Sequence, residues 1–198
     1  MNKTSLLFLV AMSLFLSSCA LNNHVIQAQY QPTLHKIDGS EKYSMFTKVN
    51  YLPVFQNDPK AIGVKKNGYG IETARIYMSE NVDDWLKKSF DQELEGAGFD
   101  VVNSQNNNVV KITLDVRQIF VEPWVGFWSC DVIGILKIEA KLDSPNKGSY
   151  FVKKFVTYDK LTTIVWLDSM HETRIINVVQ NTIPEIVKEI SLLLARNS

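Results

Sequence analysis

Between Val110 and Leu142 the chain twice alternates apolar and polar residues. Val110, Ile112, Leu114 and Val116 are separated by Lys111, Thr113 and Asp115, with Arg117 next in line. Further on, Val132, Gly134, Leu136, Ile138, Ala140 and Leu142 stand mostly against Asp131, Lys137, Glu139 and Lys141. A period of two sends successive side chains to opposite faces of a strand, so both stretches are predicted to be strands with one buried and one wet face. Ser144-Pro145-Asn146-Lys147-Gly148 reads as a hairpin turn, and Ser149 to Tyr158 as the antiparallel return.

The cover for such a sheet is also legible. Val82, Leu86, Phe90, Leu94 and Ala97 recur every three or four residues with Lys87, Lys88, Asp91 and Glu95 between them, which predicts an amphipathic helix laid on the sheet. Ser79 and Asn81 are candidate caps, Asp83 and Asp84 suit the positive end of the helix dipole, and Gly98 is placed to stop the run. A second helix is predicted from Glu172 to Arg196, where Pro184 should kink or divide it. Shorter strands are expected at Met45 to Phe55, with Pro53 at an edge or bulge, at Glu72 to Met78 and at Phe99 to Val102. The fold class is therefore α+β: a mainly antiparallel strand meander with two amphipathic helices packed on one face.

The first residues carry a separate signal. Met1-Asn2-Lys3 supplies one positive charge, and an uncharged apolar run follows from Leu6 to Phe15. That run is shorter than the ~20 residues a helix needs to span a bilayer, so residues 1–18 read as a cleaved signal peptide. Leu16-Ser17-Ser18-Cys19-Ala20 resembles the lipobox of bacterial lipoproteins, which implies cleavage between Ser18 and Cys19 and lipidation of Cys19. Each buried CH₂ of an acyl chain contributes roughly 0.8 kcal/mol, so two or three chains would hold the protein to a membrane. Lipoprotein sorting implies that Asp after the cysteine favours inner-membrane retention; Ala20 at that place points to the periplasmic face of the outer membrane. Residues 19–43 are polar, with Asn and Gln recurring, and are expected to form a flexible tether to a single domain at 44–198.

Composition narrows the partners. The formal net charge is +0 and no basic run occurs, which argues against nucleic acid. With Cys19 lipidated, Cys130 is the only remaining cysteine, expected to be a small buried residue without a disulfide. His24, His35 and His171 are scattered, and the chain lacks HExxH, CxxC and Gly-x-Ser-x-Gly. No catalytic residue, cofactor or metal is expected. The nearest polar constellation is Asp168, His171 and Glu172, which at helical spacing could supply a metal or acid/base pair but reads rather as an acidic helix start with an exposed histidine.

The segment Leu94-Glu95-Gly96-Ala97-Gly98-Phe99-Asp100-Val101, with the earlier Ile62-Gly63 step and the closing amphipathic helix, resembles the YajG family of bacterial lipoproteins. A looser similarity is to auxiliary lipoproteins of ABC-type transport and lipid-trafficking systems. The family resemblance implies an α+β fold and an outer-membrane address, and offers no catalytic residues. An aromatic stretch from Glu122 to Trp128 has no counterpart in that pattern. Trp124, Phe127 and Trp128 there are either core or, together with Trp166, a contact patch. Two functions fit: a non-enzymatic envelope lipoprotein that binds another envelope protein, or a module whose apolar cavity takes a lipid or small apolar ligand.

Overall fold

A computed structural model describes residues 22–67, 69–105, 108–126, 128–144 and 148–196. The signal segment with Cys19, Phe127 and the turn at 145–147 lie outside the described residues. In chain order the elements are β1 (His24–Ile26), β2 (Ser44–Tyr51), β3 (Ala61–Lys66), β4 (Glu72–Met78), α1 (Val82–Gly96), β5 (Asp100–Val101), β6 (Val110–Val125), β7 (Cys130–Ser144), β8 (Gly148–Thr163) and α2 (Ser169–Arg196). β6, β7 and β8 form the predicted antiparallel meander, Lys111 facing Asp143 and Cys130 facing Thr163. The other edge of β6 is shared: β2 runs parallel to its first half, and β3 meets its second half at Val121, with β4 antiparallel to β3 and β1 parallel to β4. The fold is α+β, mainly antiparallel, with both helices on one face.

Two glycines set the close contacts. A Cβ at Gly63 would lie 2.0 Å from the Val121 carbonyl oxygen, so only glycine lets β3 approach β6 there. A Cβ at Gly134 would lie 2.9 Å from the Arg174 carbonyl, so α2 rests its backbone on the sheet at that point. Around these contacts Phe90, Leu94, Ile112, Leu136, Ile183 and Ile190 are buried in one continuous core.

α1 spans the predicted residues. Asn81 holds the N-cap position without a side-chain capping bond, its amide donating instead to the Asp84 carboxylate (3.2 Å), and the C-terminus closes when Phe99 N–H reaches back to Leu94 and Gly98 N–H to Glu95, with Gly98 at φ 91°. α2 contains Pro184 without being divided. Several strands differ from the expectation: β2 stops at Tyr51, before Pro53, β6 and β8 run on to Val125 and Thr163, and β3 is a strand for which none was predicted.

The tether expected at 19–43 needs correcting where the structure describes it. β1 is hydrogen-bonded to β4, Ile26 is fully buried, and the chain onward crosses α1 as a strap. The buried Glu93 carboxylate holds that strap: it accepts from Tyr30 Oη, Thr33 N–H (3.0 Å), Thr33 Oγ1 (3.1 Å) and Leu34 N–H (2.7 Å). Burial, and then the Glu93 carboxyl, push the Tyr30 hydroxyl above its ordinary value, so it stays a donor. Ile37 N–H and Ser40 Oγ then bond the Ala97 carbonyl (2.9 and 2.8 Å). A polar segment is fixed here because its partners are polar groups on α1, which hydrophobic periodicity does not reveal.

Candidate functional site: an uncharged aromatic end above a buried ion cluster

Three connections meet at one end of the sheet: the β3–β4 turn (67–71), the β6–β7 connection (124–129) and the β8–α2 loop (164–167). Parallel β3 and β6 place the first beside the second across a cleft of about 220 Å³ lined by Lys66, Asn67, Gly70, Pro123, Trp124 and Val125. The pairing of Cys130 with Thr163 brings the third alongside. No residue in these connections is charged. Tyr69 is 92 %, Trp128 82 % and Trp124 62 % exposed, and Ile71, Ile164, Val165 and Leu167 are exposed with them. Contiguous apolar exposure of this kind marks a contact surface more often than chance.

The outward aim of Trp124 has a local cause. β6 does not end at Arg117 but continues across a bulge between Val116 and Gln118. The inserted residue moves the buried set from Ile112, Leu114 and Val116 to Ile119, Val121 and Pro123, which leaves Trp124 facing solvent. Its indole donates to Glu122 (2.6 Å), and Glu122 pairs with Lys66 (2.6 Å). Of the four aromatics singled out from the sequence, Trp124 and Trp128 are thus exposed, Phe127 lies outside the described residues, and Trp166 is half-buried and turned inward.

Beneath this end lies a cluster of ionisable groups. Lys65, fully buried on β3, pairs with Asp168 (2.7 Å), whose second oxygen is 3.6 Å from His24 Nδ1 on β1. His171, at the start of α2, is fully buried, with Nδ1 3.1 Å from the Asp168 carbonyl; its Nε2 accepts the Trp166 indole N–H (3.0 Å), and its ring lies 6.0 Å from that of His24. That leaves Nδ1–H as the donor to Asp168, so the imidazole is neutral. Burial, against the opposing pull of Asp168, lowers its pKa from 6.5 to about 4. A neutral imidazole with both nitrogens engaged is an anchor rather than a free base, and what it anchors is the 164–168 loop.

The sequence constellation of Asp168, His171 and Glu172 is therefore half realised. Asp168 and His171 meet, Glu172 is not in the cluster, and His171 is buried rather than exposed. Lys65 and His24 come from β3 and β1, far away in sequence, and Lys65, which follows the apolar run Ile62-Gly63-Val64 and precedes Lys66, gave no signal of burial. Among the described residues no group of three His, Cys, Asp or Glu is set to hold a metal ion. Cys130 is buried and unpaired, and burial raises its thiol pKa.

Residues 59–192 match the model of a family described as "Uncharacterized lipoprotein". The chain belongs to this YajG-like lipoprotein family. The matched residues include the ion cluster's Lys65, Asp168 and His171 and both exposed tryptophans, whereas β1 and the strap precede them. As a lipoprotein of this family it is a membrane-anchored envelope protein. Among solved structures, protein XCC0632 from Xanthomonas campestris, a DUF330 protein, is similar in fold: TM-score 0.63 at 13 % identity, covering 89 % of this chain and 99 % of that one. A minor lipoprotein from Acinetobacter baumannii matches more loosely, at TM-score 0.41 and 10 % identity over 78 % of this chain and 91 % of that one. No curated protein sequence matches the chain. Among the described residues no helix is long and apolar enough to cross a membrane.

Proposed function

We propose that this lipoprotein is held by acyl chains on Cys19 at the periplasmic face of the outer membrane and acts there by binding, without catalysis, as an accessory to another envelope component. The observation that carries this reading is the uncharged aromatic end. Its loops are anchored from below by buried ionic and imidazole contacts, an arrangement that holds a contact surface in shape. The ligand-module alternative needs an enclosed apolar cavity. A cleft of about 420 Å³ between the strap and α1 is instead lined by Gln27, Gln29, Glu80, Lys88 and Gln92 among others, so it suits that reading less well.

Two measurements test the proposal in intact cells. Metabolic labelling with an acyl-chain precursor should mark the protein, and Cys19→Ser should abolish the mark. A photo-crosslinking residue at position 128 should capture envelope material far more often than one at the exposed Glu95 on α1. Equal capture at both positions would overturn the contact assignment, and a labelled Cys19→Ser protein would overturn the anchor.

A further inference from the structure

The direction of β1 shows which end of the domain an anchored N-terminus occupies. β1 runs parallel to β4, from His24 beside Ile76 to Ile26 beside Met78. β4 itself leaves the 67–71 turn at Glu72. The chain preceding β1 therefore enters from the side of that turn, and Asn23 Oδ1 fixes the entry by accepting Arg75 N–H (2.9 Å). Two residues, Ala20 and Leu21, lie between Cys19 and Asn22, and three chain steps of at most about 3.6 Å each limit the distance from the lipid-bearing cysteine to Asn22 to roughly 11 Å. The strap beyond β1 is pinned to Glu93 and cannot lengthen this leash.

We infer that the aromatic end is a membrane-docking surface: the domain sits directly on the bilayer that holds its acyl chains, with Tyr69, Trp124 and Trp128 in the headgroup region. This rests on the lipidation of Cys19 proposed above and names the bilayer itself as the envelope component that the aromatic end binds. A leash of about 11 Å is much shorter than the domain, so the end that carries it faces the lipid whether or not it binds. The chemistry of that end fits the position. Tryptophan and tyrosine favour the interface, where an apolar ring can be buried while the indole N–H or the hydroxyl stays wet. The charges that border the rim, Lys66 with Glu122, Lys65 with Asp168, Lys160 with Asp131 opposite Trp124, and Arg75 with Glu72 beside Ile71, are each paired, so seating the loops removes no lone ion from water. Ile71, Ile164 and Leu167 extend the same surface without a charge.

The test uses the full-length lipidated protein reconstituted into phosphatidylethanolamine–phosphatidylglycerol vesicles, with and without lipids brominated high in the acyl chain. Intact mass and flotation report lipidation; tryptophan emission reports docking. Brominated lipid should remove roughly a third or more of the emission, since two of the four tryptophans stand in the rim. The Trp124→Ser, Trp128→Ser double variant should float equally well and keep its melting temperature while losing most of that quenching. Acylated protein that floats but shows equal emission in both vesicles overturns the docking inference and leaves the lipoprotein reading standing. Protein that carries no acyl mass and does not float overturns both. Crosslinks from position 128 that reach only a protein, in cells where the vesicle quenching is absent, give the surface to a protein partner instead.

Discussion

Replacing Glu93 by Ala tests whether the strap is part of the folded domain. In the structure this one fully buried side chain accepts from two backbone N–H groups and two hydroxyls, of Tyr30, Thr33 and Leu34. Truncation leaves the N–H groups of Thr33 and Leu34 without their acceptor. An unsatisfied buried donor costs about 1–3 kcal/mol, and the exposed side of Thr33 allows water to offset part of that, so a total loss of about 3–5 kcal/mol is expected. Glu93→Gln keeps one oxygen for the Leu34 N–H and presents an amide donor to the Tyr30 oxygen, so its loss should be about 1–2 kcal/mol. Urea melts give both values. Trypsin gives the location, because Lys36 and Lys42 lie on the strap and release of that segment should speed cleavage there before it speeds cleavage elsewhere. A Glu93→Ala protein within about 0.5 kcal/mol of wild type, with unchanged cleavage at Lys36, would show that the strap is not held by this carboxylate.

The ion cluster yields two further expectations. Asp168→Ala removes the carboxylate paired with the buried Lys65 ammonium and should destabilise by about 3–5 kcal/mol in urea melts, whereas adding Lys65→Met should restore most of that loss; no restoration would mean the pair is not the cause. His171 is neutral when folded, with its pKa lowered to about 4, so between pH 6.5 and 4 the unfolded chain binds the extra proton. Stability should be full above about pH 6.5 and fall by about 3 kcal/mol as pH drops through 4, at roughly 1.4 kcal/mol per pH unit. His171→Gln should flatten that slope; an identical pH profile in the variant would assign the loss to other groups. Gly63→Ala should cost about 3 kcal/mol or more, or prevent folding, because its Cβ would meet the Val121 backbone and not a movable side-chain tip; a wild-type midpoint would refute the register of β3 against β6.

Periodicity alone determined the meander and both helices, because a half-buried strand and an amphipathic helix each write their buried face into residues a few places apart, as Val132 to Leu142 and Val82 to Ala97 do. The helix end at Gly98 was equally local, and the proposed signal peptide and lipidation of Cys19 rest on the sequence alone. What depended on residues distant in the chain was decided only by tertiary structure. The bulge beyond Val116 broke the alternation, so the outward aim of Trp124 could not be read from its neighbours. Lys65, Asp168 and His171 are joined across more than a hundred positions. Residues 24–40 looked like a tether because their hold on the domain is a short strand added to β4 and a set of hydrogen bonds to Glu93 and Ala97, which leave no apolar period behind. That strand also sets the end of the domain from which the chain preceding β1 arrives, so the membrane-facing side proposed above follows from the pairing of β1 with β4.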